Sequence, residues 1–293
     1  MKRIGIIVAG SAYPMEGFKL GLRDLGWHEG KNVSFELRAA NGQLQRLPEF
    51  AKEMVTLGAD TIAVIGAVTV RAVRHVTSSI PIIFAVVVEP LGDGLADNLE
   101  RPGANVTGVT TFDPQQAVTQ FQLLKAVSPH LERVAILSDS GVSECLSNSN
   151  REAAQSLGLQ AQVIRVEGPS PEYEKAFVSM DHERAGALVV LEEPINQAYR
   201  KTIADLAAAR LLPTVFPISM LDAGSLFAYG TSLRDAARQL ARYADRILKG
   251  SKPGELPIEA ALNHELVINQ RVARLLGVAC PPELLNRANQ VIE

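Results

Sequence analysis

The sequence has few of the residue patterns on which catalytic, metal-binding and membrane-embedded proteins depend. Its two cysteines and five histidines show no CxxC, HExxH or other metal-ligand spacing, and no GxSxG, GxGxxG or P-loop motif occurs. No apolar run approaches the roughly 18 residues of a membrane span. Because 29 Lys and Arg stand against 32 Asp and Glu, there is no basic excess to hold a nucleic-acid backbone. We therefore expect no metal, no cofactor and no nucleic-acid partner.

The two cysteines, Cys145 and Cys280, are open to two interpretations. They can be small buried hydrophobic residues, or they can form one disulfide in an oxidising compartment. Cys145 lies just inside a predicted helix start, where a thiolate is favoured, but no histidine lies near it in the sequence to act as a base. A catalytic thiol is therefore not predicted.

What the chain does contain is a regular alternation of apolar runs with helix-length amphipathic segments. The apolar runs lack an alternation of polar residues, which is typical of strands buried on both faces of a parallel sheet. The first series predicts strands at 3–10, 33–39, 60–66, 81–90 and 105–111, with helices at about 14–27, 43–57 and 68–77.

The same alternation then begins again and predicts a second, similar lobe. Its strands are expected at 133–139, 159–167, 187–194, 213–217 and 225–230, with helices at about 114–127, 144–157, 172–183 and 196–210. The last 60 residues, which include a long helix at 232–249 and a strand-like run at 261–269, are too few for a domain. We predict an α/β protein with two doubly wound, Rossmann-like lobes. The first comprises 1–111 with 232–257 returning to it, and the second comprises 112–231 with 258–293.

Ligands of open parallel sheets bind at the carboxyl ends of the strands. The loops there contain small polar groups, helix starts, carboxylates and tyrosines, which suit the binding of a small polar molecule. The helix starts at 67–70 and 140–144 can donate N–H groups to an anion, and Glu89 and Glu193 can accept an ammonium group. The candidate ligand-binding residues are Ser11, Tyr13, Gly66, Ala67, Val68, Thr69 and Glu89 in the first lobe, and Ser138, Asp139, Ser140, Glu193, Phe216 and Tyr229 in the second.

Several of these residues also have a purely structural explanation. Glu89 can cap the next helix or pair with Arg71, and Thr69 can cap its own helix. Tyr229 can be core packing. Since Glu192 and Glu193 are adjacent and point in different directions, at most one of them is expected to face a ligand.

Five stretches of the sequence resemble one known family along essentially the whole chain. They are GLRDLGWHEGKNVSFELRAANG (21–42), RLPEFAKEMV (46–55), EPLGDGLADNLERPGANVTGVT (89–110), YADRILKGSKPGELPIE (243–259) and ELVINQRVARLLGVACPPELLNRANQVIE (265–293). The family is the substrate-binding proteins of bacterial ABC transporters that includes tryptophan- and tyrosine-type binding proteins. Its fold is that of type I periplasmic binding proteins.

The resemblance implies a mechanism and partners. Two lobes joined by three crossovers, here expected near 110–114, 230–233 and 257–262, close like a hinge on a ligand in the cleft between them. The closed form then docks on a membrane permease. Such proteins generally work as monomers and are not enzymes.

Proteins of this family are periplasmic, so we expect that an export leader has been removed. The start MKRIGIIVAG is too short for a signal peptide and is interpreted as the first strand. Without a leader the protein would be cytoplasmic.

The sequence departs from the family at positions expected to contact ligand. Glu89-Pro90 replaces the usual Asp-Pro, and Glu193 replaces an Asp. Ala67-Val68 and Asp139-Ser140 stand where Thr-Pro and Asn-Pro are usual. Two longer carboxylates imply a ligand smaller or more polar than tryptophan, such as another amino acid or an amine-bearing acid.

Two other classes of function remain open at this point. A ligand sensor of the same fold would need a signalling partner, because the first strand begins at residue 3 and leaves no room before it for a DNA-binding motif. An enzyme could use a pair of carboxylates for acid–base chemistry, but no nucleophile–base pair is evident in the sequence.

Overall fold

The computed structural model describes residues 1–10, 12, 14–140, 144–168, 170–261 and 263–293, with the side chain of Pro194 left out. The predicted positions 11 and 13 therefore lie outside the described residues.

The first 112 residues alternate strands with helices as far as β4, and β5 follows β4 without a helix between them. The strands are β1 (Lys2–Val8), β2 (Val33–Ala39), β3 (Thr61–Ile65), β4 (Ile82–Val87) and β5 (Val106–Thr110), and the helices are α1 (Met15–Asp24), α2 (Leu47–Thr56) and α3 (Ala67–Arg74). A short 3-10 turn, Leu44–Arg46, precedes α2.

The alternation continues up to residue 231. This part contains α4 (Pro114–Val127), β6 (Arg133–Asp139), α5 (Cys145–Ser156), β7 (Gln160–Val166), α6 (Tyr173–His182), β8 (Leu188–Val190), α7 (Pro194–Ala198), α8 (Arg200–Ala209), β9 (Thr214–Phe216) and β10 (Phe227–Thr231). The remaining residues form α9 (Leu233–Leu248), β11 (Glu259–Ala260), β12 (His264–Asn269), α10 (Gln270–Leu276), α11 (Pro282–Arg287) and β13 (Gln290–Ile292), with 3-10 turns at Ile218–Ala223 and Pro253–Glu255.

The chain divides into two compact units. The first is Met1–Phe112 with Ser232–Asn263, and the second is Asp113–Thr231 with His264–Glu293. The chain thus passes from one unit to the other three times. Residues 258–263, which the sequence analysis assigned to the second lobe, belong to the first unit, because β11 pairs in parallel with the end of β5.

The first unit is built on a six-stranded sheet with the strand order β11-β5-β4-β3-β1-β2, and all of its pairs are parallel. One face is covered by α1 and α9 around Phe18 and Leu240, and the other by α2 and α3 around Phe50 and Val73. Helices α1 and α9 approach closely at Gly17, where an added Cβ would lie 2.1 Å from the carbonyl oxygen of Arg234. Burial on both faces explains the apolar runs without alternation.

The second unit contains a seven-stranded sheet with the order β13-β12-β10-β9-β8-β6-β7. Its pairs are parallel except that β12 runs antiparallel to β10, a feature that the sequence pattern does not predict. Phe121 and Phe227 are buried on one side of the sheet and Phe177 and Phe216 on the other. Two α/β units with mostly parallel sheets confirm the predicted fold class.

Several predicted elements differ in detail: for example, the strand predicted at 187–194 comprises only Leu188–Val190, and the run predicted at 261–269 begins at His264. The strand predicted at 81–90 ends at Val87, and the helix predicted at 196–210 is two helices that meet at Tyr199. None of the helices in the described part of the chain combines the length and apolar character needed to cross a membrane. Both cysteines lie in that part, and no disulfide joins them.

Candidate ligand-binding site

At the carboxyl edge of the first sheet, Gly66 forms the turn from β3 into α3. Its backbone angles, φ 81° and ψ 151°, belong to a region that is essentially restricted to glycine. The Gly66 N–H donates to the carbonyl of Ala85 at 3.0 Å, so the start of α3 is fixed beside the end of β4. The Gly66 carbonyl accepts the N–H groups of Thr69 and Val70, both at 3.2 Å. The conformation of Gly66 therefore determines where the first turn of α3 lies.

The first turn of α3 presents both exposed and buried groups. Ala67 is half-buried and Val68 is 37% exposed. The Thr69 side chain is wholly buried, and its hydroxyl has no hydrogen-bond partner among the described residues. A capping role for Thr69 is thus not formed. A buried hydroxyl without a partner costs free energy, so this position calls for an explanation beyond packing.

The end of β4 is irregular. The pairing of β4 with β5 shifts between Phe84 and Val87, so β4 carries one residue more than its partner there. Val86, in this bulge, has φ 59°, which is strained for a β-branched residue. Gly108 of β5 pairs with Phe84, the residue before the bulge, and an added Cβ at Gly108 would lie 2.1 Å from the Phe84 carbonyl oxygen. Such strain costs about 1–3 kcal/mol and is typical of functional sites.

Glu89 follows this bulge. It is half-buried, and its Oε2 would lie 3.2 Å from a Cβ added to Gly92. Within the described ranges, its carboxylate has neither an ion-pair nor a hydrogen-bond partner. The alternative pairing with Arg71 is not formed, because Arg71 Nη1 binds Asp93 Oδ1 at 2.8 Å instead. The chain runs from here through turns to β5 without a helix that Glu89 could cap. The position of this carboxylate therefore has no structural explanation in the described part of its own unit.

At the corresponding edge of the second sheet, Glu193 is turned inward and is 5% exposed. Its Oε1 accepts the Ser138 hydroxyl at 3.1 Å, and its Oε2 accepts the Asp139 N–H at 2.5 Å and the Asn196 side-chain N–H at 3.4 Å. Burial raises the pKa of Glu193 to about 7, against the opposing effect of these hydrogen bonds. The groups that surround Glu193 are thus supplied by its own unit.

Asp139 is buried in the same network. Its Oδ2 accepts the N–H of Ile195 at 3.3 Å, and its carbonyl accepts Arg165 Nη2 at 3.1 Å. Asn196 in turn accepts the hydroxyl of Tyr173 at 3.3 Å, and burial raises the pKa of that tyrosine well above its usual range. The ends of β6, β7 and β8 are therefore joined by one buried polar network around Glu193.

The remaining candidates of the second unit are dispersed. Ser140 is exposed, and its N–H donates to Val166 at 2.8 Å. Phe216 is wholly buried in the core, so its place in the structure is that of a packing residue. Tyr229 is half-buried and stacks on His264 with ring centroids 5.6 Å apart. Glu192 is half-buried as a residue, and burial raises the pKa of its carboxylate against the opposing effect of a hydrogen bond with the Ser219 side chain.

Sequence analysis missed two residues that organise these edges. Asn196 connects Glu193 to Tyr173 and to the carbonyl of Leu137. Thr110 ties the end of β4 to the end of β5. Neither residue has a sequence signal, because an asparagine near a helix start and a threonine in a strand are common. Across the part of the chain that is described, no cluster of three His, Cys, Asp or Glu side chains could hold a metal ion.

Comparison with known proteins identifies the family. The family model for ABC transporter substrate binding proteins matches residues 6–292. The chain belongs to this family. A curated relative, the tyrosine-binding protein of Clostridioides difficile, is 23% identical over 270 residues, which is 90% of this chain and 76% of the relative.

Several solved structures share the fold of this substrate-binding protein. A Streptococcus pneumoniae ABC domain in complex with L-Trp has a TM-score of 0.86 at 24% identity, and a Vibrio cholerae conserved domain protein has 0.84 at 23%. Both comparisons cover 99% of each chain. A leucine-binding protein from Thermotoga maritima has a TM-score of 0.59 at 13% identity and covers 87% of this chain and 80% of that one. The fold is that of the type I periplasmic binding proteins.

Proposed function

We propose that this protein is the solute-binding component of an ABC importer. It captures a small polar ligand, an amino acid or a related amine-bearing acid, between its two units by hinge closure. It then delivers the ligand to a membrane permease. On this proposal it works in the periplasm as a monomer. The observation that carries the ligand class is the Glu89 carboxylate, which follows the strained end of β4 and has no partner among the described residues.

An ammonium group is the ligand chemistry that best suits Glu89. A half-buried carboxylate without a partner is unfavourable, and a cationic ligand would supply the missing charge and hydrogen bonds. An amino acid also carries a carboxylate, for which the start of α3 at Ala67 and Val68 offers backbone amides. Two relatives that match this chain at 23–24% identity are named for or solved with an aromatic amino acid, tyrosine in one and L-Trp in the other, which supports the same ligand class here.

In the second unit, we propose a division of labour. The strand ends are held in place by three buried residues that hydrogen-bond with one another and are not proposed to contact the ligand: Ser138, Asp139 and Glu193. Ser140 and Tyr229 are proposed to contact the ligand. Ser11 and Tyr13 stay proposed contacts on sequence grounds alone.

Hinge closure is supported by the path of the chain. It passes between the units at Phe112–Asp113, Thr231–Ser232 and Asn263–His264, and each passage is a single stretch of backbone. A small set of backbone torsions at three such passages is sufficient for closure of two rigid bodies.

A thermal-shift screen tests the proposal. The purified protein is heated with amino acids, amines, aromatic acids and sugars. A ligand at about 100 times its Kd is expected to add roughly 2.7 kcal/mol of stability. At least one amino acid should raise Tm, and Glu89→Gln should weaken its binding by about 1.5–3 kcal/mol, the contribution of a charged hydrogen bond.

The matched control is Glu100→Gln, an exposed carboxylate in the loop that follows β4, which should leave the shift unchanged. A protein stabilised only by ligands that lack an ammonium group would contradict the proposed ligand class.

A further inference from the structure

Thr110, the last residue of β5, makes an unusual set of contacts. The side chain is 5% exposed, and its hydroxyl donates to the carbonyls of Val87 at 2.8 Å and Val88 at 3.1 Å. The same oxygen accepts the N–H of Phe112 at 3.1 Å. The next residue, Thr111, donates its own N–H to Val87 at 3.1 Å. One hydroxyl group therefore connects the end of β4 to the residues that leave β5.

These contacts join two parts of the chain with different roles in the proposed function. Val87 and Val88 are the two residues immediately before Glu89. Phe112 is the last residue of the first unit before the chain passes to the second. The β4 bulge interrupts the ladder with β5, and Val86 is strained there. The hydrogen bonds of the β4–β5 ladder therefore do not by themselves fix the backbone that leads to Glu89. The hydrogen bonds of the Thr110 hydroxyl take the place of the interrupted ladder.

We propose that Thr110 is the positioning residue of the site: its hydroxyl fixes the backbone that carries Glu89 and links it to the passage at Phe112. This inference rests on the proposed function and extends it. Because the peptide before Glu89 and the peptide at Phe112 share one hydroxyl group, movement at the passage is transmitted to Glu89. Binding at Glu89 is transmitted in the opposite direction by the same bonds.

The choice of threonine at position 110 indicates a role for its hydroxyl group beyond packing. Valine has nearly the shape of threonine and an equal preference for strands, so packing alone would be satisfied by Val at position 110. The same strand provides a matched comparison in Thr107, which is wholly buried and whose hydroxyl donates to the Leu256 carbonyl at 2.7 Å. Thr107 also binds a backbone carbonyl, but it lies three residues before Thr110 and contacts neither Glu89 nor the passage.

The experiment compares three variants with the parent: Thr110→Val, Thr110→Ser and Thr107→Val. Hydrogen exchange of the ligand-free full chain needs no knowledge of the ligand. The amides of Thr111, Phe112 and Asp93 donate to Val87, Thr110 and Glu89 respectively. In Thr110→Val these three amides should exchange about tenfold faster, the change that the loss of about 1.4 kcal/mol produces. In Thr107→Val their exchange should stay as in the parent, after correction for any difference in global stability.

Calorimetric titration with the standard L-amino acids is the second readout. For whichever of them binds the parent, Thr110→Val should weaken affinity about tenfold, and Thr110→Ser, which keeps the hydroxyl, should stay within about threefold. Thr107→Val should bind as the parent does. The serine variant keeps the proposal testable if Thr110→Val misfolds. A positioning role of the hydroxyl predicts that Thr110→Ser restores both the slow exchange and the affinity of the parent.

Equal exchange effects in Thr110→Val and Thr107→Val would overturn the positioning role. The expected exchange pattern together with unchanged affinity would overturn the link to ligand binding. If no amino acid binds the parent, the proposed ligand class fails, and the exchange data alone still decide whether Thr110 holds the end of β4.

Discussion

Glu193 is a buried carboxylate whose oxygens are met by uncharged donors. Burial is the main reason that its pKa lies near 7, and the negative charge of Asp139 adds to the effect. The hydrogen bonds from Asp139 and Ser138, together with the positive charge of Arg165, lower the pKa and offset part of the increase. The network around Glu193 therefore changes charge close to neutral pH.

This titration predicts a dependence of stability on pH. The folded-state pKa of about 7 lies above the ordinary value of 4.5, so the folded state binds the proton more tightly. The resulting stabilisation is fully present below pH 4.5 and is lost as the pH rises through 7. Between pH 5 and pH 8, urea unfolding should report a loss of about 2–3 kcal/mol from this group. Glu193→Gln should lack that component, and Glu167→Gln, an exposed carboxylate of the same unit, should retain it. An equal loss in the parent and in Glu193→Gln would contradict the assignment.

Glu89 leads to the opposite kind of prediction. Because its carboxylate has no partner among the described residues, removing the charge costs the ligand-free fold nothing. Glu89→Gln should therefore leave the free energy of unfolding unchanged within about 0.5 kcal/mol, or raise it, as is common for residues kept for function. Asp93→Asn is the comparison, since it breaks the pair with Arg71 and should lower stability by up to about 1 kcal/mol. Clear destabilisation by Glu89→Gln without ligand would show a structural role instead.

Among the elements, the contact of α1 with α9 depends on glycine at a single point. Gly17 lies in a helix, where alanine is intrinsically better by about 1 kcal/mol. The backbone of α9 leaves no room for the methyl group, so Gly17→Ala should instead destabilise the protein by about 1–3 kcal/mol. Gly10→Ala is the control, because no atom of the described residues lies within 4 Å of a Cβ added there. Thermal unfolding of both variants measures the difference, and a Gly17→Ala variant as stable as the parent would show that the helices can separate without cost.

Some secondary-structure elements can be predicted from the sequence, whereas others cannot. Strands such as β1, β3 and β6 are predictable within one or two residues, because buried parallel strands leave uninterrupted apolar runs. The bulge of β4 is not predictable, since AVVVE contains no glycine or proline to mark it. The break at Tyr199 lacks such a marker as well. Glu89 was identified because it ends an apolar run. The inward turn of Glu193 was not, because it depends on Ser138, which lies 55 residues away in the chain.

For the whole molecule, the proposed closure depends on the three passages between the units. On the second-unit side, residues at the three passages lie close together: His264 Nε2 is 3.4 Å from Asp113 Oδ2, a contact that is an ion pair only when the histidine is protonated, and His264 pairs with Thr231 in the β10–β12 ladder. Each of these residues lies directly at a passage. Because residues at the three passages lie so close to one another, we expect the passages to bend together in the proposed closure, so that ligand capture is a single concerted step.

Small-angle X-ray scattering tests this expectation. An amino acid that raises Tm should reduce the radius of gyration of the parent protein, since a ligand held by both units favours the closed form in proportion to its differential affinity. At about ten times the Kd of the parent, where the parent is roughly 90% liganded, Glu89→Gln should be less than half liganded and should keep a radius of gyration nearer that of the ligand-free protein. Asp113→Asn removes the charge that faces His264 without removing a proposed ligand contact, so we expect it to shift the midpoint of the scattering titration to higher ligand concentration while full compaction is still reached at saturation. Binding detected by Tm without any change in scattering would mean that the ligand is held by one unit alone, and hinge closure would have to be abandoned.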